Sequence, residues 1–415
     1  MGLPTLQADA ADNNTGGVGR LRLPNRRDKM PLYDLTEFLR LSSVLNYNLS
    51  AASLNRYNVL MFIMGEKKLD QDEKKDRNQK GIIMEALSYL FSAYSHKRRR
   101  LGPKAVLHPL RATALFTRAL EKLDFIDILT TLFHDIIEDI EPTGFDNPKW
   151  REMESQLYHL FGRLELNDEA QLVERLMCLT RLEVESYYEY IGRLLKYGQN
   201  VPQIVQIKLA DRLDNTLDMR IDLRDPLDDI DFFQKIFQIM FVSTYQGYTP
   251  KTEHPPSAAL NGARRLYQLF KNAVLLSLIR RLKVIPADRA LQVLFLALSD
   301  ASLKEAQRTL IHLLGYHYKD LAEQRYLLME AMEYCYSGRS DLVTKPNGKR
   351  MLDGLFSTYF GHKSSKVRNK KLDILYQNKA LMLEASVAFI VIFLSFLNDP
   401  AYYVKGISAK GIYPK

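Results

Sequence analysis

Apolar residues recur at i, i+3, i+4 and i+7 along almost every long segment of the chain, and no run alternates as a half-buried strand does. The pattern predicts an all-α protein. Helices are expected over 34–45, 78–95, 106–121, 124–139, 149–162, 169–180, 185–196 and 202–221, then over 263–283, 286–298, 303–314, 318–335 and 368–398. Three prolines punctuate "YQGYTPKTEHPPSAALNG" at 245–262, and a helix interior does not tolerate them. This stretch reads as a linker between a helical domain at 31–244 and a helical region of unassigned role at 263–415. Residues 1–30, rich in Gly, Asn and Asp, read as a flexible tail without the apolar run of a signal peptide.

One segment tests the globular reading. "ASVAFIVIFLSFL" at 385–397 is shorter than the roughly 20 residues that span a bilayer, and Glu384 and Asp399 bound it. A buried core helix is the preferred reading, with no transmembrane anchor expected; a membrane contact or a homo-oligomer interface is the alternative. Apolar residues at 46% and charged residues at 26% place the chain among folded proteins rather than disordered ones. Cys178 and Cys335 match no metal or redox spacing, which argues against a disulfide scaffold and for a reducing, cytoplasmic setting. The net charge of +9 favours anionic partners without choosing among nucleotides, nucleic acid and acidic lipid.

Candidate chemistry begins at "FHDIIEDIEP", residues 133–142. On a continuous helix over 124–139, Phe125, Ile128, Leu129, Leu132, Phe133, Ile136 and Ile137 form an apolar face. His134 with Glu138 and Asp135 with Asp139 are then i, i+4 pairs on the remaining arc. Like charges at that spacing repel, and a bound cation removes the conflict. Upstream, "VLHPLRATAL" puts His108 at a helix start. Downstream, "VQIKLADRLDNTLDMR" carries Asp211 on a helix with an apolar stripe of Ile204, Ile207, Ala210, Leu213 and Leu217, leaving Asp211, Asp214, Asn215 and Asp218 on its polar side. His108, His134, Asp135 and Asp211 together offer two nitrogens and two carboxylate oxygens, a set that suits one Mn²⁺ or Fe²⁺ better than a structural zinc. Such a metal polarises a phosphoryl oxygen and acidifies bound water, which points to hydrolysis.

At these residues the chain resembles the HD phosphohydrolase superfamily, and within it the hydrolase domain of RelA/SpoT homologues. The resemblance rests on "KRRRLGPKAVLHP", "HDIIED" and "KLADRLDN" in that order, with "LTR" at 179–181 and "YEYIGRLL" at 188–195, and spans about 80–225. It implies a manganese-dependent domain, with Fe²⁺ or another divalent cation as substitutes, that removes the 3′-pyrophosphate from the alarmones ppGpp and pppGpp. By the same resemblance, His108, His134, Asp135 and Asp211 ligate the metal, and Glu138 and Asp139 position and activate water. Asn215 holds the ribose or phosphate side, Arg99 contacts the nucleotide, and Lys208 and Arg212 are weaker phosphate contacts. Two departures bear on the nucleotide pocket: Asp214 stands where many members have His, and "LGPKA" replaces an acidic and aromatic segment. No synthetase segment follows the hydrolase part.

Other readings stay open. An HD-type phosphatase acting on NADPH or another nucleotide keeps the metal and changes the substrate. A nucleotide-sensing binding protein is the reading from outside the enzymes. "GHKSSKVRNKKLD" at 361–373 supports nucleic-acid binding, although a solvated basic loop is the favoured reading of it.

Overall fold

A computed structural model of the chain describes residues 56–97, 105–217, 262–281, 288–336, 358–359, 363–398, 407–408 and 411–412. The protein is all-α. Its described helices are α1 (Arg56–Met64), α2 (Glu73–Ala93), α3 (Leu107–Ala119), α4 (Phe125–Phe133), α5 (Ile136–Asp139), α6 (Asn147–Phe161), α7 (Leu166–Leu179), α8 (Tyr187–Tyr197), α9 (Pro202–Leu217), α10 (Gly262–Arg281), α11 (Arg289–His317), α12 (Leu321–Tyr336), α13 (Ser365–Gln377) and α14 (Lys379–Asn398). Among the described residues, strand pairing is confined to Ile407–Ser408 against Gly411–Ile412. The helix expected over 34–45, the punctuated stretch up to residue 261 and most of the basic region 337–371 lie outside the described residues, as does Arg99.

Helix starts follow from short polar side chains that accept from otherwise unpaired backbone amides. Asp72 accepts from the Lys74 and Lys75 amides at 2.8 Å each at the head of α2. Ser186 and Glu189 form a reciprocal capping box at the head of α8. The helix α3 is the axis of the arrangement: every residue from Leu107 to Thr117 is buried, and α1, α4, α9 and α11 pack around it. A helix enclosed on all sides must satisfy its polar groups internally. Thr113 donates to the Pro109 carbonyl at 2.6 Å, Thr117 donates to the Ala114 and Ile63 carbonyls, and Arg111 is bound by Asp214.

One helix was not expected and two helix expectations are corrected here. α1 falls in "RYNVLMFIM", an almost continuous apolar run whose periodicity is hidden because no polar face interrupts it. The two helices expected over 286–298 and 303–314 are one. Ser299 and Asp300 look like a turn, but the Ser299 hydroxyl bonds back to the Phe295 carbonyl at 2.8 Å and Asp300 pairs with Lys304 at 2.9 Å, so α11 runs through. Conversely, the single helix expected over 368–398 is two. Asn378 closes α13 with its amide on the Leu375 carbonyl, and its side chain caps α14 through the amides of Ala380 and Leu381 at 3.0 and 3.2 Å.

The apolar run at 385–397 lies in α14, with Ala385, Val387, Ala388, Phe389, Ile390, Val391, Phe393 and Leu394 buried and the helix packed on α11 and α12. No single described helix is long and apolar enough to cross a membrane. The helices on either side of the punctuated stretch meet directly. α9 packs on α10 and α11, and the described helices on both sides of the stretch belong to one compact unit. That packing fixes α9, which carries Asp211, between α3, which carries His108, and the helices beyond residue 261.

Candidate metal centre

The continuous helix expected over 124–139 is broken at His134–Asp135. α4 ends at Phe133, Asp135 sits at φ −103° and ψ 3°, and a new short helix, α5, begins at Ile136. The break has a physical use. Neighbouring side chains on a regular helix point about 100° apart and do not face each other. Leaving the helix lets His134 and Asp135 converge, with Nε2 and Oδ2 at 3.3 Å. The expected apolar face also stops there, since Ile136 is half-buried and Ile137 is exposed. α4 itself is anchored by a buried ion pair between Asp127 and Arg175 of α7. Burial, with Asp124 nearby, pushes the Asp127 carboxyl up to about 6 against the pull of that arginine.

Four ligand atoms from three parts of the chain meet at this break. His108 Nε2 lies 3.2 Å from His134 Nε2, 3.2 Å from Asp135 Oδ2 and 3.2 Å from Asp211 Oδ1, and His134 Nε2 lies 3.7 Å from Asp211 Oδ1. The four donors all fall within 4.8 Å of one another, and this group can hold a metal ion. Donors about 2.1 Å from one cation stand ~3.0 Å apart at adjacent octahedral corners and ~3.4 Å apart in a tetrahedron. The spacings observed fit that requirement.

Hydrogen bonding on the far side of each ring orients the donors. His108 Nδ1 lies 2.6 Å from Asp214 Oδ2, and His134 Nδ1 lies 2.7 Å from the Thr131 carbonyl, which only accepts. Both Nδ1 atoms are thereby assigned as donors, leaving the two Nε2 atoms to face each other across 3.2 Å. Two lone pairs so placed call for a cation between them, a proton or a metal. Burial alone would lower the His134 imidazole, yet Asp135 and Asp211 outweigh it and hold it well above its ordinary value. Burial likewise works against the two carboxylates. His134 and His108 nonetheless hold Asp135 well below the usual range, and Lys208 with both histidines does the same for Asp211.

A second layer of polar residues holds the ligands. Asp214, expected on the polar side of α9 and near the nucleotide pocket, is buried behind His108, bonded to its Nδ1 and to Arg111 Nε at 2.6 Å. Burial opposes its charge, and Arg111 and His108 overcome that and depress it strongly. A carboxylate on the far nitrogen of a ligating histidine fixes the ring and raises its basicity, and its loss typically costs about 10- to 100-fold in metal affinity. Asp214→Asn is therefore expected to weaken Mn²⁺ binding by that factor in calorimetry; unchanged affinity would reduce Asp214 to a partner of Arg111 alone. Asn215 donates to Asp211 Oδ1 at 2.6 Å, and Lys208 Nζ pairs with Asp211 Oδ2 at 2.8 Å while lying 5.2 Å over the Tyr190 ring. Both residues expected to touch substrate thus hold a ligand in place.

Arg212 departs furthest from expectation. It is buried and donates to Asn272 Oδ1 at 2.9 Å and to Gln268 Oε1 at 2.7 Å, fastening α9 to α10. Glu138 is exposed and accepts from the Arg181 amide at 2.8 Å. Asp139 is half-buried, pairs with Lys97 Nζ at 2.8 Å and accepts from the Tyr94 hydroxyl at 3.1 Å. Glu138 and Asp139 face a cleft of about 410 Å³ whose lining also includes His96, Lys97 and Phe145. Tyr94 was missed from the sequence, and Lys97 was read only as the first residue of the basic stretch "KRRR", not as a partner of Asp139.

Comparison of the chain with protein-family models, with curated proteins and with solved structures finds no match.

Proposed function

We propose that the protein is a metal-dependent phosphohydrolase of the HD type, removing the 3′-pyrophosphate from ppGpp and pppGpp to leave GDP or GTP. The observation that carries this reading is the convergence of His108, His134, Asp135 and Asp211, with Glu138 and Asp139 on the short helix that directly follows Asp135. Manganese is the metal proposed, since two imidazoles and two carboxylates make a harder set than zinc's usual thiolates. When bound, a divalent cation there supplies Lewis acidity toward a phosphoryl oxygen and toward water.

The chain's own residues supply the rest. Asp139, aimed by Tyr94 and Lys97, accepts a proton at its carboxylate from the attacking water, and Glu138, fixed by the Arg181 amide, orients that water. Lys97, paired with Asp139 Oδ1, holds the carboxylate in place before it takes the proton, and the cleft has room for a phosphorylated nucleotide rather than a macromolecule.

The test is incubation of the full chain and Mn²⁺ with ppGpp, ppApp and NADPH separately, with products resolved by anion exchange. Metal-dependent pyrophosphate release from ppGpp is expected. Orthophosphate from NADPH alone would replace the reading with a nucleotide phosphatase. Metal binding with no turnover of any of the three would favour a nucleotide sensor.

A further inference from the structure

The seam between α9 and α10 carries cations that their surroundings do not neutralise equally. Lys208 is matched by Asp211. Arg212 is held by neutral amides. Lys271, three and four residues beyond Gln268 and Tyr267 on α10, has neither arrangement. Its ammonium lies 4.8 Å over the Tyr267 ring, it is half-buried, and it forms no ion pair among the described residues.

The position of Lys271 is set by its neighbours. Arg212 grips Gln268 and Asn272 on either side of it, the Tyr187 hydroxyl donates to its carbonyl at 3.4 Å, and Arg181 reaches the Tyr267 side chain. Asp135 and Asp211, two of the four ligands, lie within its electrostatic reach. An ammonium drawn out of water beside other cations costs free energy unless an anion completes it. Burial, then Arg212 and Lys208, hold Lys271 well below the ordinary lysine range, and an anion bound beside it would favour its charged form.

We propose that Lys271, poised over Tyr267, binds a phosphoryl group of the substrate next to the metal ligands, so that the helix after residue 261 completes the substrate pocket. The inference rests on the phosphohydrolase reading above and adds to it a role for the C-terminal helical region. An aromatic face under the amine restricts its motion and keeps it directed, and a lysine there acts as a point charge toward phosphate.

The test titrates inorganic phosphate by calorimetry into full-length wild type, Lys271→Gln and Lys271→Arg, each dialysed against Mn²⁺ and each also metal-free. Mn²⁺ affinity is measured separately, and circular dichroism confirms folding. Phosphate affinity is expected to fall by about tenfold or more in Lys271→Gln, to recover largely in Lys271→Arg, and to leave Mn²⁺ affinity unchanged. Equal phosphate affinity in wild type and Lys271→Gln, with Mn²⁺ bound, overturns the role of Lys271 and leaves the metal reading standing. Phosphate binding that is lost in Lys271→Gln although wild type takes up no Mn²⁺ supports Lys271 and removes the metal. Absence of phosphate binding to wild type in both states overturns the inference.

Discussion

Asp135→Ala is expected to lose Mn²⁺ binding and to lower pyrophosphate release by about 10³-fold or more, the equivalent of the several kcal/mol that a catalytic metal contributes. The residue is suited to the test because it belongs to the donor cluster without supporting the core. Its Oδ2 meets the Nε2 atoms of His108 and His134 at 3.2 and 3.3 Å, while its side chain keeps 26% of its exposure. Its removal should leave the fold intact, which circular dichroism of the metal-free protein checks. Asp211 would be a poorer choice. Its side chain is 4% exposed and neutralises Lys208, so Asp211→Ala strands a buried ammonium and is expected to cost about 3–5 kcal/mol of stability, confusing folding with ligation. Wild-type turnover by a folded Asp135→Ala protein would remove Asp135 from the ligand set.

Metal addition should stabilise the protein by about 4 kcal/mol at a thousandfold excess over the dissociation constant, reversibly on chelation. The cause is local. Two carboxylates and two facing imidazole nitrogens are gathered within 4.8 Å, and only a cation reconciles them. Without metal, a proton at His134 fills that place, since the surrounding carboxylates hold the imidazole well above its ordinary value. A raised folded value gives a stabilisation that is complete below the unfolded histidine value of about 6.5 and lost as pH rises through the folded one. The metal-free protein should therefore weaken on the alkaline side while the loaded one does not. Metal must displace that proton, so affinity should strengthen as pH rises from about 6 to 8. A melting midpoint indifferent to Mn²⁺ and chelator across that range would count against the site.

Much of this was legible in the sequence, and the parts that were not have identifiable causes. The all-α class and most helices follow from one periodicity. The ligand set was readable because His-Asp and Lys-Leu-Ala-Asp each put a donor among apolar residues, where an unpaired polar group is costly. The break at His134–Asp135 was not readable, since "ILTTLFHDIIED" has flawless helical spacing and only the demand that adjacent side chains share one centre overrides it. Asp214 and Arg212 were misplaced for a common reason. α9 shows an apolar stripe and a polar remainder, which reads as a solvated face, whereas α3 and α11 enclose it and its charges pair inside. Lys271 gave no sign at all, because its meaning lies in what α10 packs against.

Diffraction from crystals of the full chain soaked in Mn²⁺, recorded with the anomalous signal of manganese, bears on the metal assignment without passing through activity. One anomalous peak, within about 2.0–2.3 Å of His108 Nε2, His134 Nε2, Asp135 Oδ2 and Asp211 Oδ1, is the expected result. A soaked crystal with no peak among those four atoms, or with manganese held elsewhere, would contradict the account.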